Sequence, residues 1–203
     1  MPRVYPGLYD RYDDASRAVA DLHAAGVPAE DISLIAHKGD ADYSAPPTES
    51  PPAGTGAAIG TVLGGGAGLL TGLGIMAIPG VGPVVAAGWF ASMLAGAAAG
   101  AVAGAATGGI IGSLTEHGVP EEHAHVYAEG VRRGGVLVTA RGDDTLHPKI
   151  DPIYRRTGAI DPVERGKVYR GEGWSAFDPD APHYTPEEIE RERTRYLQKK
   201  AAE

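Results

Sequence analysis

GTGAAIGTVLGGGAGLLTGLGIMAIPGVGPVVAAGWFASMLAGAAAGAVAGAATGGIIGSL, residues 54–114, contains no charged side chain; the nearest charges are Glu49 and Glu116. Glycine recurs at every fourth position in two series. The first is Gly56, Gly60, Gly64, Gly68 and Gly72; the second is Gly96, Gly100, Gly104, Gly108 and Gly112, extended upstream in phase by Ser92 and Gly88. Four-residue spacing keeps these positions on one helical stripe, where a missing side chain lets a second backbone approach closely. Between the series, Ile78-Pro79-Gly80-Val81-Gly82-Pro83 breaks a helix. The pattern predicts a helical hairpin over 54–115, and the two glycine series are its candidate helix-packing interface.

The chain around this stretch has 203 residues, enough for one large domain or a small domain with an appendage. Glycine, at 30 residues, is in excess, and most of the excess is phased. With no cysteine, disulfides, cysteine-ligated zinc and thiol catalysis are excluded. The net charge is −8, about −5 before the stretch and −3 after it. Neither half carries the basic footprint of a nucleic-acid binder. Met1-Pro2-Arg3-Val4-Tyr5 lacks the apolar run of a secretion signal, so a cytoplasmic domain is expected.

Upstream, residues 1–38 read as the first half of an α/β domain. Val4 to Tyr9 forms a strand. Asp13 or Asp14 caps a helix from about Ala15 to Ala25, with Ala15, Ala18, Val19 and Leu22 on one face and Gly26 ending it. Asp31 to His37 returns as a strand in which Ile32, Leu34 and Ala36 alternate with Ser33, Ile35 and His37. Residues 39–53 are a linker rich in Asp, Ser and Pro.

Downstream, residues 116–162 read as the second half. Pro120, Glu121 and Glu122 open a helix that Gly134 closes, with Ala124, Tyr127, Ala128 and Val131 as its apolar face. Val136 to Ala140 is a strand. Pro148 and Pro152 argue for only a short helix after it, capped by Asp151, and a brief strand falls near Ala159-Ile160. Neither half alone buries a core, so the two are expected to share one sheet, with the glycine-rich stretch leaving from its middle. Residues 163–203 read as an extended tail anchored by Trp174, Phe177 and Tyr184, then a helix opened by the capping box Thr185-Pro186-Glu187-Glu188. That helix offers only Ile189, Tyr196 and Leu197 as apolar contacts and is expected to be largely solvated.

Several segments together resemble a bacterial general stress protein family, the heat-induced and low-temperature-induced type with a glycine-rich centre. They are Tyr9-Asp10 with Asp13-Asp14-Ala15, Asp31-Ile32-Ser33, Ala77 to Pro83, Pro120-Glu121-Glu122, Tyr127 and Gly130 to Val138. The resemblance spans roughly residues 4–160. It implies a ferredoxin-like α/β sandwich split by a glycine-zipper hairpin, and a role in stress tolerance; it implies no catalytic residues. Pro148 and Pro152 depart from the pattern where a regular helix would stand.

A helix from Thr55 to Met76 would be about 33 Å long, enough to cross a bilayer core of about 30 Å. Trp89 and Phe90 lie where an interfacial anchor would. Burial in a soluble oligomer is the alternative. Eight glycines from Gly56 to Gly74 cost helices roughly 6–8 kcal/mol relative to alanine, which close packing must offset. Both readings predict a homo-oligomer; membrane lipid is a candidate partner in the first, and a protein partner is a candidate at the C-terminal helix in either.

No chemistry stands out. Gly60 to Gly66 lacks the Gly-Lys-Ser/Thr of a phosphate loop. His123 and His125 point different ways on a helix, and His117 precedes it, so no metal site is expected. Asp13-Asp14 and Asp143-Asp144 read as caps, and Ser16, Ser33 and Ser175 have no nucleophile context. The expectation is a non-enzymatic, stress-related protein without cofactor, membrane-associated or self-assembling through its hairpin.

Overall fold

The computed structural model describes residues 3–37, 74–78, 80–99 and 108–202. Five strands, β1 (Arg3–Tyr9), β2 (Ile32–His37), β3 (Gly74–Ile78), β4 (Gly82–Ala87) and β5 (Val136–Gly142), form one sheet in the order β1-β5-β2-β4-β3. Every neighbouring pair is antiparallel. β5 lies between the two strands of the first half, with Leu137 opposite Leu8 on one side and Val138 opposite Leu34 on the other. The two halves therefore share a sheet, as expected. Ile160 adds an antiparallel bridge outside β1, its N–H donating to Leu8 O at 2.8 Å.

Helices cover both faces. On one, Ala15, Val19 and Leu22 of α1 (Tyr12–Ala24) and Ile150 and Ile153 of α5 (His147–Thr157) pack on Ile32, Leu34, Val136 and Val138. On the other, Phe90 and Leu94 of α2 (Trp89–Ala99), Leu114 of α3 (Ser113–Glu116) and Ala124, Tyr127 and Val131 of α4 (Glu121–Arg132) pack on Leu8, Ile35 and Leu137. With both faces dry, all six residues of β2 are buried, Ser33 and His37 included. Ser33 Oγ accepts a hydrogen bond from Phe90 N–H at 2.9 Å, satisfying an amide at the start of α2.

Several local expectations need correction. The predicted helix ending at Met76 does not reach that residue: Gly74, Ile75 and Met76 are strand, and a turn at Gly80 and Val81 leads from β3 into β4. Asp13 and Asp14 lie inside the first turn of α1, where they complement the helix dipole, and Arg11 occupies the cap. Asp151 is no cap either; α5 begins at His147 with Pro148 in its first turn and carries Pro152 inside it. Burial of Ile150, Ile153 and Tyr154 outweighs the hydrogen bond that Pro152 removes. The tail is not extended from Val163, because Asp161 accepts hydrogen bonds from Val163 N–H at 2.7 Å and Glu164 N–H at 3.2 Å and opens α6 (Pro162–Gly171). The capping box stands as expected: Thr185 N–H donates to Glu188 Oε2 at 2.9 Å, Glu188 N–H donates to Thr185 Oγ1 at 3.3 Å, and α7 (Pro186–Ala202) follows.

Tyr9, Tyr127, Tyr154, Tyr169 and Tyr196 are all buried. Burial raises each phenol above its ordinary pKa, Tyr169 to about 12 even though Arg165 pulls the other way. A pKa higher in the folded state than in the unfolded chain adds stability below the unfolded value of about 10 and loses it as pH climbs through the folded values. Stability should therefore fall cooperatively above about pH 10. Phenolate absorbance rising in step with loss of ellipticity would bear this out; stepwise ionisation of a protein that stays folded would contradict it.

Candidate interaction site

The glycine-rich segment enters the described residues as the hairpin β3–β4. Val81 N–H donates to Ile78 O at 3.0 Å, and Gly80 and Gly82 take φ of 73° and 97° to close the turn. A side chain at Gly80 would also meet the tail, since a Cβ there would lie 2.7 Å from Asp178 O. Ala77 stands opposite Pro83 and Met76 opposite Val84. Pro83 has no N–H, so the Ala77–Pro83 pair takes the non-hydrogen-bonded place in the ladder. By alternation Gly74, Met76 and Ile78 bond to β4, while Ile75 and Ala77 turn their N–H and C=O groups away from it. Among the described residues β3 is the end of the sheet, and its sequence Gly-Ile-Met-Ala-Ile carries no charge and no proline.

Of the predicted helix-packing positions, Gly56, Gly60, Gly64, Gly68, Gly72, Gly100 and Gly104 lie outside the described residues. Gly96 is in α2. Gly108 and Gly112 bound a π turn that leads into α3, broken at Gly109, where φ is 6° and ψ −142°. The π turn packs against α2.

A cavity of about 500 Å³ opens between this hairpin, the π turn and the tail. Ile78 and Val81 wall it on one side, Ile110, Ile111 and Thr115 on another, and Ala128 of α4 and Phe177 and Pro179 of the tail on the rest. Thr115 Oγ1 is turned back onto Ile111 O and Gly112 O, both at 3.0 Å, which leaves Glu121 and His125 as the polar groups at the mouth. His125 Nδ1 accepts a hydrogen bond from Phe177 N–H at 3.2 Å, and His125 Nε2 lies 3.9 Å from Glu121 Oε1.

The tail that walls the cavity is held by a buried ionic cluster at the end of α4. Glu129, wholly buried, accepts from Arg133 Nε at 2.6 Å and from Arg132 Nη1 at 3.1 Å. Arg133 also donates to Glu172 at 2.7 Å and to the Tyr196 hydroxyl at 3.1 Å, and its guanidinium lies 4.2 Å from the Tyr169 ring centre. Burial depresses the pKa of Arg133, but the hydrogen bonds to Glu129 and Glu172 more than reverse this and keep it charged. Arg165 and Asp10 form a second, two-pronged pair at 2.9 and 2.8 Å, and Arg193 donates to Asp10 O and Gly134 O. The C-terminal helix, expected to be solvated, is thus docked by its charges as well as by Ile189 and Tyr196.

The remaining candidates stay apart or have structural partners. His117 Nδ1 donates to Ser113 O at 2.8 Å, and among the described residues no group of three metal-ligating side chains converges. Asp14 pairs with Arg17, Asp144 with Arg3, and Asp143 Oδ1 accepts from the Thr145 amide at 2.9 Å. No helix among the described residues is long and apolar enough to cross a membrane. Compared with models of protein families, with curated proteins and with solved structures, the chain finds no match. Glu129 is the main residue that sequence reasoning missed. Its signal was an acid three and four residues before Arg132 and Arg133, on the side of α4 opposite Ala124, Tyr127, Ala128 and Val131.

Proposed function

We propose that this chain is a non-enzymatic, stress-related protein that self-assembles through its glycine-rich segment, with β3 as the point of contact. One observation carries the reading: β3 ends the described sheet with outward amides at Ile75 and Ala77 and none of the charges or prolines that keep other edges apart. A second copy related by a twofold axis would pair β3 with β3 antiparallel and make one continuous sheet. The two glycine series supply further small-residue surface for the same assembly.

The stress-related part of the reading rests on the resemblance of Ala77 to Pro83, Pro120 to Glu122 and Gly130 to Val138, segments that form the β3–β4 turn, the start of α4 and the join from α4 to β5. A split ferredoxin-like sandwich is the matching account of the fold. It is supported by the order Ile160, β1, β5, β2 and by α1 and α5 lying on one face, with the inserted hairpin and α2–α4 added between β2 and β5. Lipid contact is the second reading, favoured by the charge-free run Gly54–Leu114, and retention in carbonate-washed membranes would support it. The outward face of α7 is where a protein partner would sit.

Ala77→Pro tests the assembly. Proline there removes an outward N–H and no bond to β4. The particle mass should fall to that of one chain while the circular dichroism is kept. A folded variant with the mass of the unsubstituted assembly would overturn the reading, as would an unsubstituted chain that is monomeric.

A further inference from the structure

We infer that the cavity beside the β3–β4 turn is a binding site for a small amphiphile with an apolar chain and a neutral hydroxyl head. The inference stands apart from self-assembly and survives its failure. The cavity's size falls within the range of small-molecule sites, and its deep walls, Ile78, Val81, Ile110 and Phe177 among them, offer an alkyl chain only apolar contact. The mouth sets the head group. Because His125 Nδ1 accepts from Phe177 N–H, the neutral ring carries its proton on Nε2 and presents a donor there. Glu121 presents only acceptors, and at 3.9 Å the two groups are too far apart to satisfy each other. A hydroxyl between them accepts from His125 and donates to Glu121. A carboxylate head would meet the charge of Glu121, and an ammonium head would have no lone pair for His125.

Decanol, decanoate and decylamine, added below their aggregation limits to the full chain, separate these cases by calorimetry. Decanol should bind, with decanoate and decylamine weaker by about tenfold or more. Glu121→Gln, an exposed change that removes the charge but keeps an acceptor oxygen, should narrow the gap between decanol and decanoate. Ile111→Trp should fill the cavity and abolish binding of all three. In the unsubstituted protein, nuclear Overhauser contacts from the decanol chain should reach Ile110 and Ile111, which keeps the test decisive if Ile111→Trp fails to fold. Absence of decanol binding, equal binding of the three heads, or contacts confined to other residues would each overturn the site.

Discussion

Replacing Gly88 with alanine is expected to lower stability by about 4 kcal/mol, the sum of ~1–3 for backbone strain and ~1–3 for overpacking. Gly88 links β4 to α2 with φ of 88°, a conformation that side chains rarely adopt. A Cβ there would lie 2.2 Å from Ile32 O and 2.9 Å from Ser33 Cα, both backbone atoms of a central strand that cannot move aside. The same shift would pull Phe90 N–H off Ser33 Oγ and orphan a buried donor. Gly26 is the control: its φ is 92°, yet nothing lies within 4 Å of its would-be Cβ. Gly26→Ala should therefore cost only the strain part, about 1–3 kcal/mol. Urea unfolding of the two variants measures the difference directly, and equal losses would show that the Gly88 contact with β2 is not tight.

Removing Glu129 is the second large effect. Glu129→Ala should cost about 3–5 kcal/mol, because it leaves the Arg133 guanidinium, 8 % exposed, without its shortest partner. The loss should appear first in the tail. Glu172, Glu192 and Tyr196 all reach Arg133, so loosening it releases the contacts that seat α6 and α7. Proteolysis of the segment after Gly171 should accelerate before global unfolding does. The exposed pair Arg155–Asp151, at 2.9 Å, is the contrast, and Asp151→Ala should change stability by less than about 1 kcal/mol. A Glu129→Ala protein as stable as Asp151→Ala would mean that the cluster contributes nothing net.

Local chemistry made parts of this fold legible in the sequence. The Thr185–Glu188 box, the apolar face of α4 and the strand Val136 to Ala140 each carry a signal that no distant contact overrides. Two of the three Asp-Pro dipeptides show where that stops. Asp161-Pro162 opens α6, but Asp151-Pro152 lies within α5, because Ile150, Ile153 and Tyr154 must all face the sheet and the helix starts a turn earlier to place them.

The centre of the chain shows the same limit on a larger scale. The four-residue glycine phase supports helix in both series, but Gly74 and Gly82 fall out of phase, and Ile75, Ile78, Val84 and Val85 close to them are β-branched. A strand pair forms there because β2 supplies an edge for β4, with His37 opposite Val84, and no local reading contains that partner. The cavity was hidden for the same reason: its walls come from residues as far apart as Ile78 and Phe177.

Amide hydrogen exchange along β3, followed as a function of protein concentration, tests the proposed assembly most directly. Gly74, Met76 and Ile78, bonded to β4, should be protected at every concentration. Ile75 and Ala77 should exchange freely when dilute and become protected as the chains associate. Fast exchange at Ile75 and Ala77 in fully associated protein would contradict pairing through β3.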